Sequence, residues 1–182
     1  EVLAPVIKDL NMQYGQEENE LIDLVDEKNQ VVGQEWRSVI RAEKRMHETR
    51  AVWLFLKNSE GKFWIPRRSA YKKHLPLHLD GSVVGAVAAG ETYETAVERE
   101  ALEEINMDIR GKYRFVGYTA PQEKVTICHV NVYEMLCDVA PDFNKQDICE
   151  GFWLTPQEII DMTARGEPVK DSLPRIMKRF FL

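Results

Sequence analysis

Runs of apolar residues, placed between turn-forming residues, predict the strands of this chain. Two short aliphatic runs within residues 21–33 flank the polar turn 27–30, which predicts a β-hairpin. Residues 51–57 are rich in β-branched and aromatic side chains, and the turn sequence 58–61 precedes an expected partner strand at 62–66. Further strands are predicted at residues 113–118, 125–137 and 151–154.

Apolar residues at helical spacing predict four helices. The clearest pattern covers residues 92–106, with Thr92 as the N-cap and Glu94 in the first turn. A capping box at Thr155–Glu158 opens another helix, and the remaining two are expected at residues 37–46 and 171–181. Interleaved strands and helices predict an α/β (α+β) fold in which a sheet is covered by helices on both sides.

The domain organisation follows from the same pattern. Residues 20–182 are predicted to form a single domain, and residues 1–19, which show no clear period, a poorly ordered N-terminal arm. A polar loop at 67–79 leads into the small, apolar segment 82–89. Gly85 within that segment predicts a bend or a close backbone approach.

Composition narrows the possible classes of function. The 182 residues carry a net charge of −6, which disfavours a nonspecific nucleic-acid coat. No apolar run approaches the roughly 20 residues that a membrane span needs, and the first residues show no signal peptide. Three cysteines without CxxC spacing argue against a disulfide framework. We therefore expect a protein of the reducing cytoplasm.

The candidate chemistry lies on the predicted helix 92–106. Glu100, Glu103 and Glu104 stand at positions i, i+3 and i+4, so their carboxylates share one helical face. Like charges on one face repel, and hard divalent cations such as Mg²⁺ would neutralise them through oxygen ligands. Arg99 can hold one glutamate by a bidentate contact. The alternative interpretation is a solvated acidic face with no ligand.

The spacing of residues over a longer stretch, 85–107, decides between a metal site and a solvated acidic face. Gly85, Glu91, Arg99 and the three glutamates follow the pattern G-x5-E-x7-R-E-U-x-E-E-x-G-U, where U is a bulky aliphatic residue. Six matched positions would occur by chance about once in 10⁷ windows. This sequence therefore resembles the Nudix hydrolase family. The chain departs from the pattern at Asn106, which replaces a glycine that ends the helix in the left-handed conformation, and at the small residue Ala101.

The resemblance implies a Nudix α/β/α sandwich with a mixed β-sheet and hydrolysis of a diphosphate linkage in a nucleoside diphosphate or a linked compound. It implies two or three Mg²⁺ or Mn²⁺ ions when substrate is bound. By the family pattern the metal ligands are Glu100, Glu103, Glu104 and the Gly85 carbonyl. Glu91 and Arg99 would support the loop–helix geometry, with Asn106 closing the helix.

Other residues are assigned more openly. The general base is Glu103, Glu104 or a loop glutamate, either Glu150 or Glu123. Arg67 and Arg68 are expected to bind phosphate, Arg68 in particular, although solvent-facing arginines are the alternative. The remaining candidates are interpreted as structural: His47, His129, Cys128, Phe152 and Trp153. Phe115 and Tyr118 are aromatic side chains that could stack on a base.

Residues 23–33, His47 and the segment Pro66–Ser69 resemble the isopentenyl diphosphate isomerase-like branch of the Nudix family. Isomerases of that branch need a cysteine just before the motif, and residues 79–86 contain none, which argues against isomerase chemistry. The alternatives to a hydrolase are such an isomerase-like enzyme and a non-catalytic nucleotide-binding module. The expected partner is a small-molecule diphosphate, with no nucleic-acid polymer and no membrane, and a homodimer is left open.

Overall fold

The computed structural model describes residues 19–182; the predicted N-terminal arm, apart from residue 19, lies outside this range. The strands within it are β1 (Leu21–Val25), β2 (Val31–Trp36), β3 (Arg50–Lys57), β4 (Phe63–Arg68), β5 (Val83–Ala86), β6 (Tyr113–Thr119), β7 (His129–Leu136) and β8 (Ile148–Leu154). The helices are α1 (Arg37–Ala42), α2 (Tyr93–Ile105), α3 (Pro156–Ala164) and α4 (Ser172–Phe180). Short 3₁₀ turns occupy Met46–Glu48 and Pro121–Glu123.

The central sheet is mixed, as predicted. Its strand order is β6-β7-β3-β4-β8, and β5 pairs with β3 beside this path. The β3–β7 pair is parallel, and the other pairs are antiparallel. In the β3–β5 pair, Gly85 lies opposite Val52. This register places the segment that precedes α2 on the sheet itself.

Alternation along β3 gives the sheet two buried faces. Val52, Leu54 and Leu56 pack in one core with apolar residues of α2. Trp53 and Phe55 point the other way, into a second core with residues of α3 and α4. Helices therefore cover both faces of the sheet, which confirms the predicted sandwich.

The β1–β2 hairpin is attached next to the start of α2. Ile22, Ile40 of α1 and Ala86 of β5 form a small third core. The Leu21 carbonyl accepts a hydrogen bond from the Ala89 amide at 2.9 Å. The hairpin and α1 are thereby tied to the loop between β5 and α2.

Some predicted boundaries were wrong. The strand expected from residue 125 begins at His129, because Thr126 Oγ1 donates to the Cys128 carbonyl at 2.8 Å and forms a local turn. The helix expected at 37–46 ends at Ala42, and Lys44 follows with a left-handed φ of 58°. The strand expected at 151–154 begins already at Ile148.

The polar loop expected from residue 67 also starts later than predicted. Arg67 and Arg68 belong to β4, because they pair in register with Glu150 and Ile148 of β8. Within residues 19–182, no helix combines the length and the apolarity that crossing a membrane requires.

Candidate active site

Helix α2 is fixed at both ends. At its start the Thr92 side chain accepts from the Thr95 amide at 3.1 Å, and Thr95 Oγ1 accepts from the Thr92 amide at 3.0 Å. At its end Asn106 adopts φ 53° and ψ 34°, which is the left-handed cap predicted for it. Val97, Ala101 and Ile105 are buried against the sheet, whereas Leu102 is 58% exposed. The buried face sets the orientation of the glutamates.

Gly85 and Glu100 lie closer together than a side chain on residue 85 would allow. A β-carbon at Gly85 would fall 2.0 Å from Glu100 Cδ and 2.2 Å from its Oε1. The close backbone approach predicted at this glycine is therefore present, and its partner is the first glutamate of the motif. The absent side chain leaves the Glu100 carboxylate beside the backbone of β5.

Arg99 is the centre of the charged network around this contact. Its guanidinium donates to both oxygens of Glu91, at 2.7 and 3.0 Å, and to the Ala86 carbonyl at 3.1 Å. It also donates to Glu100 at 2.9 Å and to Glu103 at 3.3 Å. Glu91 in turn accepts from the Ala88 amide at 2.9 Å. Arg99 and Glu91 thus brace the loop against the helix.

Burial and mutual repulsion dominate the electrostatics of the glutamates. Burial raises the pKa of Glu100 to about 7, although Arg99 opposes the change, and Glu103 and Glu20 add to it. Burial also raises the pKa of Glu104 well above its ordinary value, with the charge of Glu100 as the next cause. Burial alone would raise the pKa of Glu91. The hydrogen bonds from Arg99 and the Ala88 amide outweigh this effect, so the pKa of Glu91 is lowered.

Glu103 is turned differently from the other two glutamates. Its side chain is 58% exposed and its carboxylate points to Arg99. Within residues 19–182, no three histidine, cysteine or acidic side chains are arranged to hold one ion as they stand. The structure therefore brings Glu100 and Gly85 together, places Glu104 within electrostatic reach of Glu100, and leaves Glu103 at the margin.

A narrow cleft opens beside Glu104. Its volume of about 10 Å³ suits one water molecule. Charged and apolar side chains line it together: Pro66, Arg68, Lys72, Asp80, Gly81, Val84, Glu104, Asp147 and Ile148. Lys72 Nζ lies 2.6 Å from Asp147 Oδ1. Arg68 and Lys170 both contact Asp80 Oδ2, at 3.1 and 3.2 Å. Cationic and anionic groups thus line the cleft together.

The two predicted phosphate-binding arginines differ in their surroundings. Arg68 lines the cleft, and it also donates to the carbonyls of His74 and Leu75 at 2.9 and 3.1 Å. Arg67 Nε donates to Glu150 at 2.6 Å, and its guanidinium stacks on Phe152 at 5.5 Å. Arg68 therefore lies at the site, and Arg67 holds Glu150 on the neighbouring strand.

The two glutamates proposed as loop bases, Glu150 and Glu123, are not in the cleft lining. The loop position predicted for Glu150 was wrong, because this residue pairs with Arg67 inside strand β8. Glu150 is exposed and paired with Arg67. Glu123 accepts from the Ala120 amide at 2.9 Å, and its other oxygen lies 3.2 Å from Arg179. The acidic residues that do line the cleft are Asp80, Glu104 and Asp147.

The residues interpreted as structural, and the aromatic Phe115, differ in how deeply they are buried. Cys128 is buried and burial raises the pKa of its thiol to about 11. His129 is buried and bonded to Tyr118, and burial lowers its pKa. Phe152 and Trp153 are partly buried against the two cores. His47 is exposed in a 3₁₀ turn, and Phe115 is 54% exposed on β6, outside the cleft lining.

Four residues near the site were missed from the sequence. Lys72, Asp80 and Asp147 line the cleft, and Glu20 lies near Arg99. Each stands alone in a polar segment with no periodic signal, and only the fold brings them together.

Comparison with known proteins identifies the family to which these features belong. The sequence profile of the NUDIX domain matches residues 47–175. A Nudix hydrolase of Nostoc sp. is 42% identical over 163 residues, which cover 89% of this chain and 96% of the relative. A Nudix hydrolase of Deinococcus radiodurans is 41% identical over 166 residues, which cover 90% and 95% of the two chains.

Solved structures agree on the architecture. A crystal structure of a Deinococcus radiodurans protein superposes with a TM-score of 0.85 at 41% identity, covering 90% of this chain and all of the other. The MutT protein of Methanosarcina mazei superposes with a TM-score of 0.56 at 19% identity, which supports the fold alone.

Proposed function

The chain belongs to the Nudix hydrolase family, and from this premise we propose that it hydrolyses a diphosphate linkage in a nucleoside diphosphate or a nucleoside diphosphate-linked compound, with Mg²⁺ or Mn²⁺ as cofactor. The observation that supports this most directly is the close contact of Gly85 with Glu100, one helical turn from Glu104. Two partly buried carboxylates of raised pKa on successive helical turns are a costly arrangement without a cation.

The residues present fit a hard divalent ion. Carboxylate and carbonyl oxygens are the ligands that Mg²⁺ prefers, and Glu100, Glu104 and the Gly85 carbonyl would supply them. Glu103 would join from the helix surface, since its exposed side chain is free to change rotamer. Bound ions supply charge neutralisation of the diphosphate and lower the pKa of an attacking water.

The remaining residues have separate tasks in this proposal. Arg68, on the cleft wall, would bind the substrate phosphate through its planar fork, and Arg67 would support it from the same strand. Arg99 and Glu91 hold the helix and loop in place. The residue that removes a proton from water would be Glu103, Glu104 or Glu150. Glu103 and Glu104 could do so without movement of a strand.

The substrate and the branch of the family are tested by one screen. Purified protein is incubated with Mg²⁺ and nucleoside diphosphates, nucleotide sugars, dinucleoside polyphosphates or isopentenyl diphosphate, and both inorganic phosphate and phosphomonoester products are measured. We expect a nucleoside monophosphate, with inorganic phosphate from a nucleoside diphosphate or with a second phosphomonoester from a linked compound. Conversion of isopentenyl diphosphate to its dimethylallyl isomer without phosphate release would instead establish the isomerase-like alternative.

The metal mechanism predicts that Glu103→Gln lowers kcat by at least about 100-fold, because an uncharged amide is a poor ligand and a poor base. The matched control is Glu98→Gln on the same helix, where the carboxylate accepts from Tyr113 OH at 2.9 Å instead of facing the site. Its turnover should stay within about threefold of the unsubstituted protein. Equal rates for Glu103→Gln and the unsubstituted protein would contradict the mechanism.

A further inference from the structure

Glu20 lies just before β1, far in sequence from the motif of residues 85–107, yet its side chain reaches Arg99 of that motif. Its Oε1 is 3.9 Å from Arg99 Nη2, and its Oε2 is 3.2 Å from Arg37 Nη1. The side chain is 22% exposed. The Glu20 carboxylate therefore joins the network that Arg99 shares with Glu91, Glu100 and Glu103.

The backbone fixes Glu20 from both sides. Its carbonyl accepts from the Arg37 amide at 2.9 Å, which joins it to the start of α1. The next carbonyl, of Leu21, accepts from the Ala89 amide at 2.9 Å in the loop before α2. These bonds hold the Glu20 backbone between α1 and the loop that precedes α2, within reach of Arg99.

The charges around Glu20 suggest more than a structural ion pair. Its partly buried carboxylate lies between Arg37 and Arg99, which offset the cost of burying its charge. Arg99 also donates to Glu100 at 2.9 Å, so the negative charge of Glu20 lies behind a proposed metal ligand. A fixed negative charge behind a carboxylate ligand increases the attraction for a cation.

We propose that Glu20 is a positioning residue of the metal centre, which acts through Arg99 to orient Glu100 and Glu103 and so sets the affinity for the divalent ion. This inference rests on the proposed function. Partners that orient metal ligands typically contribute about 10- to 100-fold to metal affinity. A contact that only fastened α1 to the domain would affect stability and leave the affinity unchanged.

The test measures Mn²⁺ binding by the electron paramagnetic resonance signal of free Mn²⁺, together with the melting temperature. For Glu20→Gln we expect the Kd for Mn²⁺ to rise about tenfold, with kcat at saturating Mn²⁺ within about threefold because the reacting groups are intact. Glu20→Asp should recover part of the affinity. Glu27→Gln, in the exposed turn of the same hairpin, is the matched control and should bind as the unsubstituted protein does.

Arg37→Gln separates positioning from anchoring, because it removes the side-chain ion pair between Glu20 and α1 and keeps the contact with Arg99. We expect it to lower the melting temperature with less than a threefold change in Mn²⁺ Kd. Unchanged Mn²⁺ affinity in Glu20→Gln, or equal losses in Glu20→Gln and Arg37→Gln, would overturn the inference while the proposed function stood. No Mn²⁺ binding by the unsubstituted protein would overturn the proposed function itself.

Discussion

Gly85 and Glu100 share space that a β-carbon would otherwise fill, because a Cβ on Gly85 falls 2.0 Å from Glu100 Cδ. No rotamer of alanine relieves such an overlap, since its β-carbon is fixed by the backbone. Glu100 would have to leave the backbone of β5, and its hydrogen bond from Arg99 at 2.9 Å would be disturbed. The position of one carboxylate thus depends on the absence of one atom.

We predict that Gly85→Ala lowers kcat/KM by about 100-fold or more, because the displaced Glu100 can no longer lie beside the backbone of β5. The measurement is Mg²⁺-dependent phosphate release, with the circular dichroism spectrum as a check that the domain is folded. Gly33→Ala is the matched control, because its β-carbon would meet only Leu24 Cδ1, at 3.9 Å. A Gly85→Ala protein with normal turnover would show that the close contact is dispensable.

At the scale of the element, helix α2 aims the glutamates through its ends as well as through its buried face. Asn106 ends the helix with φ 53°, and its side-chain amide donates to the Asp142 carbonyl at 2.7 Å. The Asn144 amide donates to the Glu104 carbonyl at 2.8 Å. The last turn, which carries Glu103 and Glu104, is therefore held to the segment that leads to β8.

We predict that Asn106→Ala lowers the free energy of unfolding by about 1–2 kcal/mol, because alanine pays the full cost of the left-handed conformation. Asn106→Gly should change it by less than about 1 kcal/mol, since glycine adopts this φ freely but loses the bond to Asp142. Urea unfolding at constant pH measures both. Equal losses for the two variants would mean that the side-chain bond, which both substitutions remove, matters more than the backbone conformation.

Local periodicity explains which parts of the site were predictable. The spacing of Glu100, Glu103 and Glu104 fixes a shared helical face wherever the helix docks, and the cap at Asn106 follows from one residue type. Glu20 and Asp147 reach the site only through strand pairing and long-range packing, which leave no periodic trace in the sequence. The strand order and the exposure of Leu102 likewise depend on tertiary contacts.

At the scale of the whole molecule, the site concentrates negative charge in a fold that buries part of it. Glu20, Glu91, Glu100 and Glu103 surround one arginine, Arg99, with Arg37 at the edge. The charge of Glu100 acts on Glu104 at the next helical turn. Folding in the absence of metal must overcome this repulsion or retain protons on the carboxylates. The stability of the metal-free protein should therefore depend on pH through the same residues that bind the cation.

The sign of this dependence follows from Glu100, whose pKa rises from an ordinary 4.5 to about 7 in the folded protein. Between these values the folded state holds a proton that the unfolded state releases. The stabilisation is therefore complete below about pH 4.5 and is lost as the pH rises through about 7. Glu104, whose pKa is raised in part by Glu100, acts in the same direction.

We predict that, in EDTA, the free energy of unfolding of the unsubstituted protein falls relative to that of Glu100→Gln between pH 5 and pH 8, by up to roughly 3 kcal/mol. The glutamine side chain does not titrate in this range. The difference in the free energy of unfolding between the two proteins therefore isolates this carboxylate and its influence on Glu104. Saturating Mg²⁺ should restore the stability of the unsubstituted protein more at pH 8 than at pH 5, because the cation binds the deprotonated form and competes with protons. Urea unfolding at four pH values, with and without Mg²⁺, measures both effects. Parallel pH profiles for the two proteins in EDTA would place the raised pKa elsewhere and remove the electrostatic argument for a cation at Glu100.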